Sequence, residues 1–186
     1  MRLYGAYGSN LNLKQMQRRC PGAYPLYSFY LDNYSLVFKG VADLEKQVGG
    51  ISFMAVYEIT KLCEEALDMY EEYPDVYKKK IVKRKIEGKN RDIMFYVMRK
   101  KYNYAIPTIK YFNVIKEGYR NWNGSIKLLH DSCFHSINNN QFMNVSNIII
   151  TESNFNFRGF KKISIKYSQL FHPSSKIKIE SVNKLL

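Results

Sequence analysis

The chain has 186 residues, of which 46% are hydrophobic, enough for one domain with a buried core. It carries a formal net charge of +13 and three cysteines, Cys20, Cys63 and Cys133. So few thiols, odd in number, exclude a disulfide framework, and no apolar run reaches the roughly eighteen residues of a membrane span. The first residues lack the plan of a secretory signal, so a cytoplasmic protein with reduced thiols is expected.

Taken in chain order, the residues read as alternating strands and short helices. Residues 1–7 make an apolar strand that runs into the turn Gly8-Ser9-Asn10. Gly8 is free to take positive φ and to let the backbone approach a ligand. Asn12 caps a helix, with Gln15 placed for a capping box, and Leu13, Met16 and Cys20 form its buried stripe before Pro21-Gly22 stops it. Residues 29–38 and 51–59 carry the β-branched and aromatic residues of strands. Thr60 caps the next helix, whose apolar face combines Leu62, Cys63, Ala66, Leu67 and Tyr70. Strands follow at 77–86 and 93–97, and Pro107-Thr108 opens a last helix that Gly118 closes.

Past Leu129 the texture becomes rich in asparagine, and the chain divides into a domain over residues 1–128 and a basic extension over 129–186. That extension is expected to be irregular. Its segment Phe157–Lys162 interleaves aromatic and basic residues, a pattern that also stacks on bases. The main cationic run, Lys78-Lys79-Lys80 with Lys83-Arg84-Lys85, admits two readings. Clustered cations bind phosphates, but apolar Ile81, Val82 and Ile86 among them fit a half-exposed strand, which is preferred. His130, Cys133 and His135 lack a fourth ligand at metal-binding spacing, so no metal is expected.

Two segments together carry a resemblance. The first is Tyr7-Gly8-Ser9-Asn10-Leu11, leading into a helix that ends at Cys20-Pro21-Gly22. The second is Val56-Tyr57-Glu58-Ile59 before a helix with Leu67-Asp68-x-x-Glu71 near its end and Tyr73-Pro74 after it. With Pro107, Tyr111, Ile115 and Gly118-Tyr119-Arg120, the order resembles the gamma-glutamylcyclotransferase-like family over residues 1 to about 125. The resemblance implies an α+β fold, a small mostly antiparallel β-barrel flanked by short helices. It also implies a cofactor-free reaction on a small γ-glutamyl substrate. The α-amine attacks the γ-carbonyl of its own glutamyl group, releasing 5-oxoproline and the attached amine or amino acid.

Such a reaction needs a folded substrate, a base for the ammonium that also protonates the leaving nitrogen, and donors for the oxyanion. By the resemblance Glu71 is the base, in an apolar setting that would raise its pKa. The backbone N–H groups of Gly8, Ser9 and Asn10 would grip carboxylate or carbonyl, with Tyr7 and Leu11 adjoining. Tyr77 and Tyr111 would add further lining. The family usually has glycine after this glutamate, where Glu72 stands here, and a non-glycine residue tolerates positive φ poorly. Glu72 is therefore the fallback base. The alternative function is a non-catalytic module on the same fold that binds a small ligand or nucleic acid. Oligomeric state leaves no mark on the sequence.

Overall fold

The computed structural model describes residues 1–86 and 88–140. Its elements are β1 (Arg2–Ala6), a 3-10 turn (Ser9–Leu11), α1 (Leu13–Arg19), β2 (Tyr24–Phe38), β3 (Ala42–Ile59) and α2 (Lys61–Tyr70). There follow β4 (Tyr77–Ile86), β5 (Lys89–Met98), α3 (Ile109–Asn121) and α4 (Ile126–Asn138). The five strands form one sheet in the order β2-β3-β1-β5-β4. Only β1 and β5 run parallel, with Leu3 beside Ile93; the hairpins β2–β3 and β4–β5 and the pair β1–β3 are antiparallel.

The α+β class stands, but the expected barrel is not closed, because β2 and β4 remain edges. What mimics closure is curl. β2 and β3 are 15 and 18 residues long, and the right-handed twist of such long strands brings remote parts of a sheet together. Tyr34 on β2 thus meets Phe95 on β5 edge-on, with ring centroids 5.7 Å apart. The Arg84 guanidinium of β4 lies 4.1 Å from the ring centre of Phe29 on β2. β3 starts nine residues before the expected strand at 51: Gly49 and Gly50 fall in an irregularity where pairing passes from Asp32–Ile51 to Tyr34–Lys46, and the strand continues on both sides of it.

The cationic run falls on the edge strand β4, where Lys78, Lys83 and Lys85 are exposed. Charged residues on an edge discourage pairing with another chain, which gives the run a role within the fold. Inside, one core joins both faces, with Phe38, Tyr57, Phe95, Tyr96, Phe112 and Tyr119 its largest fully buried side chains.

Two expected helical stripes shift. Met16 and Cys20 are buried, but Leu13 faces solvent; Cys63 and Leu67 are buried, but Leu62 is exposed. The compositional boundary at 128 does not coincide with an end of structure. α4 crosses it, and Leu129, Cys133 and Ile137 sit in the core with the sheet residues. Residues 141–186, including the Phe157–Lys162 segment, lie outside the described residues.

Gly118 does not close α3, which runs on to Asn121. It is a point of contact. A Cβ there would lie 2.5 Å from the Leu11 Cβ and 2.7 Å from the Asn12 nitrogen, so the absent side chain lets the 3-10 turn rest against the helix. Trp122 reinforces this by donating its indole N–H to the Leu11 carbonyl at 2.9 Å. Replacing Gly118 with alanine forces backbone apart, and helix propensity gains cannot offset that. Gly118→Ala is expected to lose about 1–3 kcal/mol in urea unfolding.

Candidate active site

Strand β1 is central in the sheet, and the chain leaves its end through Tyr7 and Gly8 into the 3-10 turn. Gly8 has φ −105°, not the positive φ allowed for it in the sequence reading. Its use is close approach: an added Cβ would lie 3.2 Å from the Ala42 Cβ and 3.5 Å from the Tyr111 hydroxyl. Beyond it the Leu11 N–H bonds to the Gly8 carbonyl and the Asn12 N–H to that of Ser9. Asn12 caps α1 through its side chain, which accepts from the Gln15 N–H at 3.1 Å. The N–H groups of Ser9 and Asn10 head this turn, where helical starts leave donors unpaired.

A cavity of about 270 Å³ opens over the turn. Its lining joins Tyr7, Gly8, Ser9 and Asn10 with Glu71, Glu72, Tyr77 and Tyr111, so all but one of the sequence-chosen residues converge on it. The exception is Leu11, whose side chain is fully buried in the core and serves to seat the turn. The hairpin between β2 and β3 contributes Val41 and Ala42. Ala42 is gripped from both sides: its carbonyl accepts from the Tyr77 hydroxyl at 3.1 Å, and its N–H donates to Tyr111 at 3.2 Å. Tyr7 is committed likewise, donating to the Tyr96 carbonyl at 2.8 Å. Behind the hairpin a buried Lys39 ammonium lies 2.7 Å from both Asp43 and Glu45, and Asp43 also accepts the Met98 N–H at 2.9 Å. That cluster pins the hairpin to the end of β5.

Glu71 is the C-cap of α2, and the next residue turns the chain away. The Tyr73 N–H reaches the Asp68 carbonyl at 2.9 Å and the Glu72 N–H that of Met69 at 3.3 Å, the paired bonds of a Schellman ending. Such an ending needs a left-handed residue, and Glu72 supplies it with φ 50°. A glycine, which the resemblance leads one to expect at this position, would take that φ without strain. Two further ties hold the end of α2 in place. Asp68 accepts from the Tyr96 hydroxyl at 2.6 Å and from Lys79 at 2.8 Å, and Lys79 also meets Glu64 at 2.7 Å.

Glu71 receives one hydrogen bond, from the Asn10 side-chain nitrogen to Oε1 at 3.2 Å. Burial pushes its pKa up from the ordinary 4.5 to about 7, while the Arg19 charge and the Asn10 bond hold it down. Burial also keeps Tyr4, Tyr7, Tyr77 and Tyr96 neutral by raising their pKa values, and takes Tyr111 up to about 12. The carboxylate therefore stands in a wall of neutral phenols. Glu72 is exposed at the cavity rim.

Sequence reasoning missed Tyr4 and Tyr96 in the lining, and Arg19 behind it. The guanidinium of Arg19 lies 3.5 Å from the centre of the Tyr70 ring. It bonds Ser9 Oγ at 3.0 Å and the Asn10 side-chain oxygen. Among the described residues no three His, Cys, Asp or Glu are grouped to hold a metal, and no helix is long and apolar enough to cross a membrane.

Residues 4–117 match the family described as gamma-glutamyl cyclotransferase, AIG2-like. The chain belongs to that family. Among solved structures it is similar to one described as a gamma-glutamyl cyclotransferase, at 23% identity and TM-score 0.62, covering 70% of this chain and 85% of the other. It is also similar to the uncharacterized protein loc79017 from Homo sapiens, at 23% identity and TM-score 0.61 with the same coverage. A third is YkqA from Bacillus subtilis, at 20% identity and TM-score 0.60, covering 73% of this chain and 54% of the other. These likenesses show the shared fold. No curated protein matches the chain in sequence.

Two stability predictions follow from this geometry. Glu72→Gly relieves a left-handed side chain and should raise unfolding stability by about 1 kcal/mol, read from the urea midpoint. Glu71 binds its proton more tightly folded than unfolded, so its contribution is full below pH 4.5 and is lost as pH rises through about 7. Glu71→Gln should flatten that fall and be more stable than the native protein at pH 8, by about 1–3 kcal/mol.

Proposed function

We propose that this chain is a cofactor-free cyclotransferase that releases 5-oxoproline from a γ-glutamyl amino acid, peptide or amine. The observation that carries the reading is a carboxylate with its pKa raised to about 7, set in the same cavity as the turn Gly8-Ser9-Asn10. A base poised near the working pH combines adequate ionisation with adequate strength. Membership of the family supports a γ-glutamyl substrate.

In this reading the γ-glutamyl group binds folded, with its α-ammonium toward Glu71. Positioning the amine against its own γ-carbonyl replaces a large part of the entropic barrier. Glu71 takes one proton from the ammonium, and the freed nitrogen lone pair attacks the γ-carbon. The carbonyl π electrons move onto oxygen, where backbone N–H groups of the turn donate to the developing charge. When the tetrahedral species collapses, the bond to the leaving nitrogen breaks and that nitrogen takes the proton from Glu71. The ring nitrogen, which still holds two hydrogens, gives one up to the released amine, which departs as its ammonium. The carboxylate is thereby regenerated, and no further reactant is consumed. The phenol walls keep the site poor in water, which favours the attached amine over hydrolysis. We place the reaction in the cytoplasm, where Cys20, Cys63 and Cys133, all free and buried, stay reduced.

The test is 5-oxoproline formation from a panel of γ-glutamyl amino acids and γ-glutamyl amines. The native protein should form product, and Glu71→Gln should lower kcat by about a hundredfold or more. Because the carboxylate must be ionised, kcat/KM should rise with pH up to about 7 and fall tenfold per unit below it. Absence of product across the panel, or full activity in Glu71→Gln, overturns the reading.

A further inference from the structure

Arg19 sits behind the cavity wall, partly buried, beside an Arg18 that faces solvent. Its guanidinium is fixed on three sides, by the Tyr70 ring, by Ser9 Oγ and by the Asn10 side-chain oxygen. An arginine has donors only, so it demands the oxygen of the Asn10 amide and not its nitrogen. The amide is thereby locked in one of its two orientations. Its NH2 group then points the other way, where both hydrogens are used: one on the Tyr4 hydroxyl at 2.8 Å, the other on Glu71 Oε1 at 3.2 Å. The Asn10 backbone is held as well, by the Tyr57 hydroxyl on its carbonyl at 3.1 Å.

We propose that Arg19 is a positioning residue that acts on Glu71 through Asn10, committing Oε1 to the amide and leaving Oε2 as the oxygen that exchanges protons with substrate. A flipped Asn10 amide would set its carbonyl oxygen against the carboxylate, two acceptors face to face, and favour protonated Glu71. Arg19 prevents that flip. The role rests on the cyclotransferase reading for its substrate, but the coupling of Arg19 to Glu71 through Asn10 does not.

The groups facing Glu71 bear this out as a local arrangement. Tyr4 from β1 and Tyr7 after it, Tyr77 from β4, Tyr96 from β5 and Tyr111 from α3 all interact electrostatically with the carboxylate, and all are neutral phenols. Glu72 is the adjacent carboxylate in the chain, and Arg19 is the cation that acts on Glu71. Removing Arg19 therefore removes the charge and the amide lock together, whereas lysine keeps charge without the planar fork or the stacking surface.

The experiment compares native protein, Arg19→Gln and Arg19→Lys by two readouts. One is the carbon-13 NMR titration of the Glu71 side-chain carboxyl in glutamate-labelled protein; the other is kcat and KM for 5-oxoproline release. In Arg19→Gln the Glu71 titration should move to higher pH, and kcat should fall about ten- to hundredfold with KM changed much less. Arg19→Lys keeps a donor and a charge but not the fork or the stacking on Tyr70 that fix the amide, so it should move the titration less than Arg19→Gln and still lose kcat. A Glu71 titration unmoved in Arg19→Gln, or native kcat in both variants, overturns the proposal. Should Arg19→Gln fail to fold, loss of kcat at native KM in folded Arg19→Lys supports it and native kcat overturns it. If no substrate is turned over, the cyclotransferase reading fails alone, and the titration still decides whether Arg19 governs Glu71.

Discussion

Asn10 has every polar group of its side chain satisfied at once, and this one residue fixes where the candidate base can stand. Its oxygen is taken by an arginine, its nitrogen by a tyrosine and a glutamate, and its backbone carbonyl by Tyr57. Buried polar groups are costly when unpaired, so such a network tolerates little displacement of any member. Four elements meet there: the 3-10 turn brings Asn10, α1 brings Arg19, β1 brings Tyr4 and the end of α2 brings Glu71. The sheet and the helix packing are the means of bringing those four ends within hydrogen-bond reach.

Seen from Asn10, several remote features acquire a purpose. Gly118 lets the 3-10 turn lie directly on α3, which sets the height of Asn10 over the core. The Asp68–Tyr96 and Asp68–Lys79 bonds anchor the end of α2 and so the backbone of Glu71. The Lys39 cluster holds the hairpin whose Ala42 closes the opposite wall. Burying that ion pair carries a desolvation cost, and removing one partner alone would leave a stranded charge. The left-handed Glu72 belongs to the same set: a helix that must stop at Glu71 has to reverse within one residue, whatever that residue is.

What was readable in the sequence was what is local. The caps at Asn12 and Thr60, the turn after β1, and Glu71 at the end of a helix all depend on residues within a few positions of each other. Even the strain at Glu72 could be anticipated, because a Schellman ending is specified by neighbours along the chain. The remainder depends on approach through space. Nothing in the spacing distinguishes Arg19 from Arg18; only the direction of the α1 C-terminus, set by its packing, sends one inward and the other out. Tyr4 and Tyr96 read as ordinary strand residues until β1 and β5 lie side by side. Gly118 looked like a helix stop because a glycine chosen for close contact and one chosen for backbone freedom have the same letter. α4 was concealed by asparagine-rich composition after it, although Leu129, Cys133 and Ile137 recur at the helical interval.

The contact between Trp122 and the turn has an optical consequence. This is the only tryptophan in the chain. Its indole N–H is bonded to the Leu11 carbonyl, and its ring meets Tyr57 edge-on with centroids 5.4 Å apart. Tyr57 in turn bonds the carbonyl of Asn10. The protein thus carries an intrinsic fluorophore wired by two hydrogen bonds to the segment that frames the cavity. Any occupant that shifts this segment alters the emission colour or yield of a single chromophore, with tyrosines nearby as energy donors. Occupancy is therefore visible without a label.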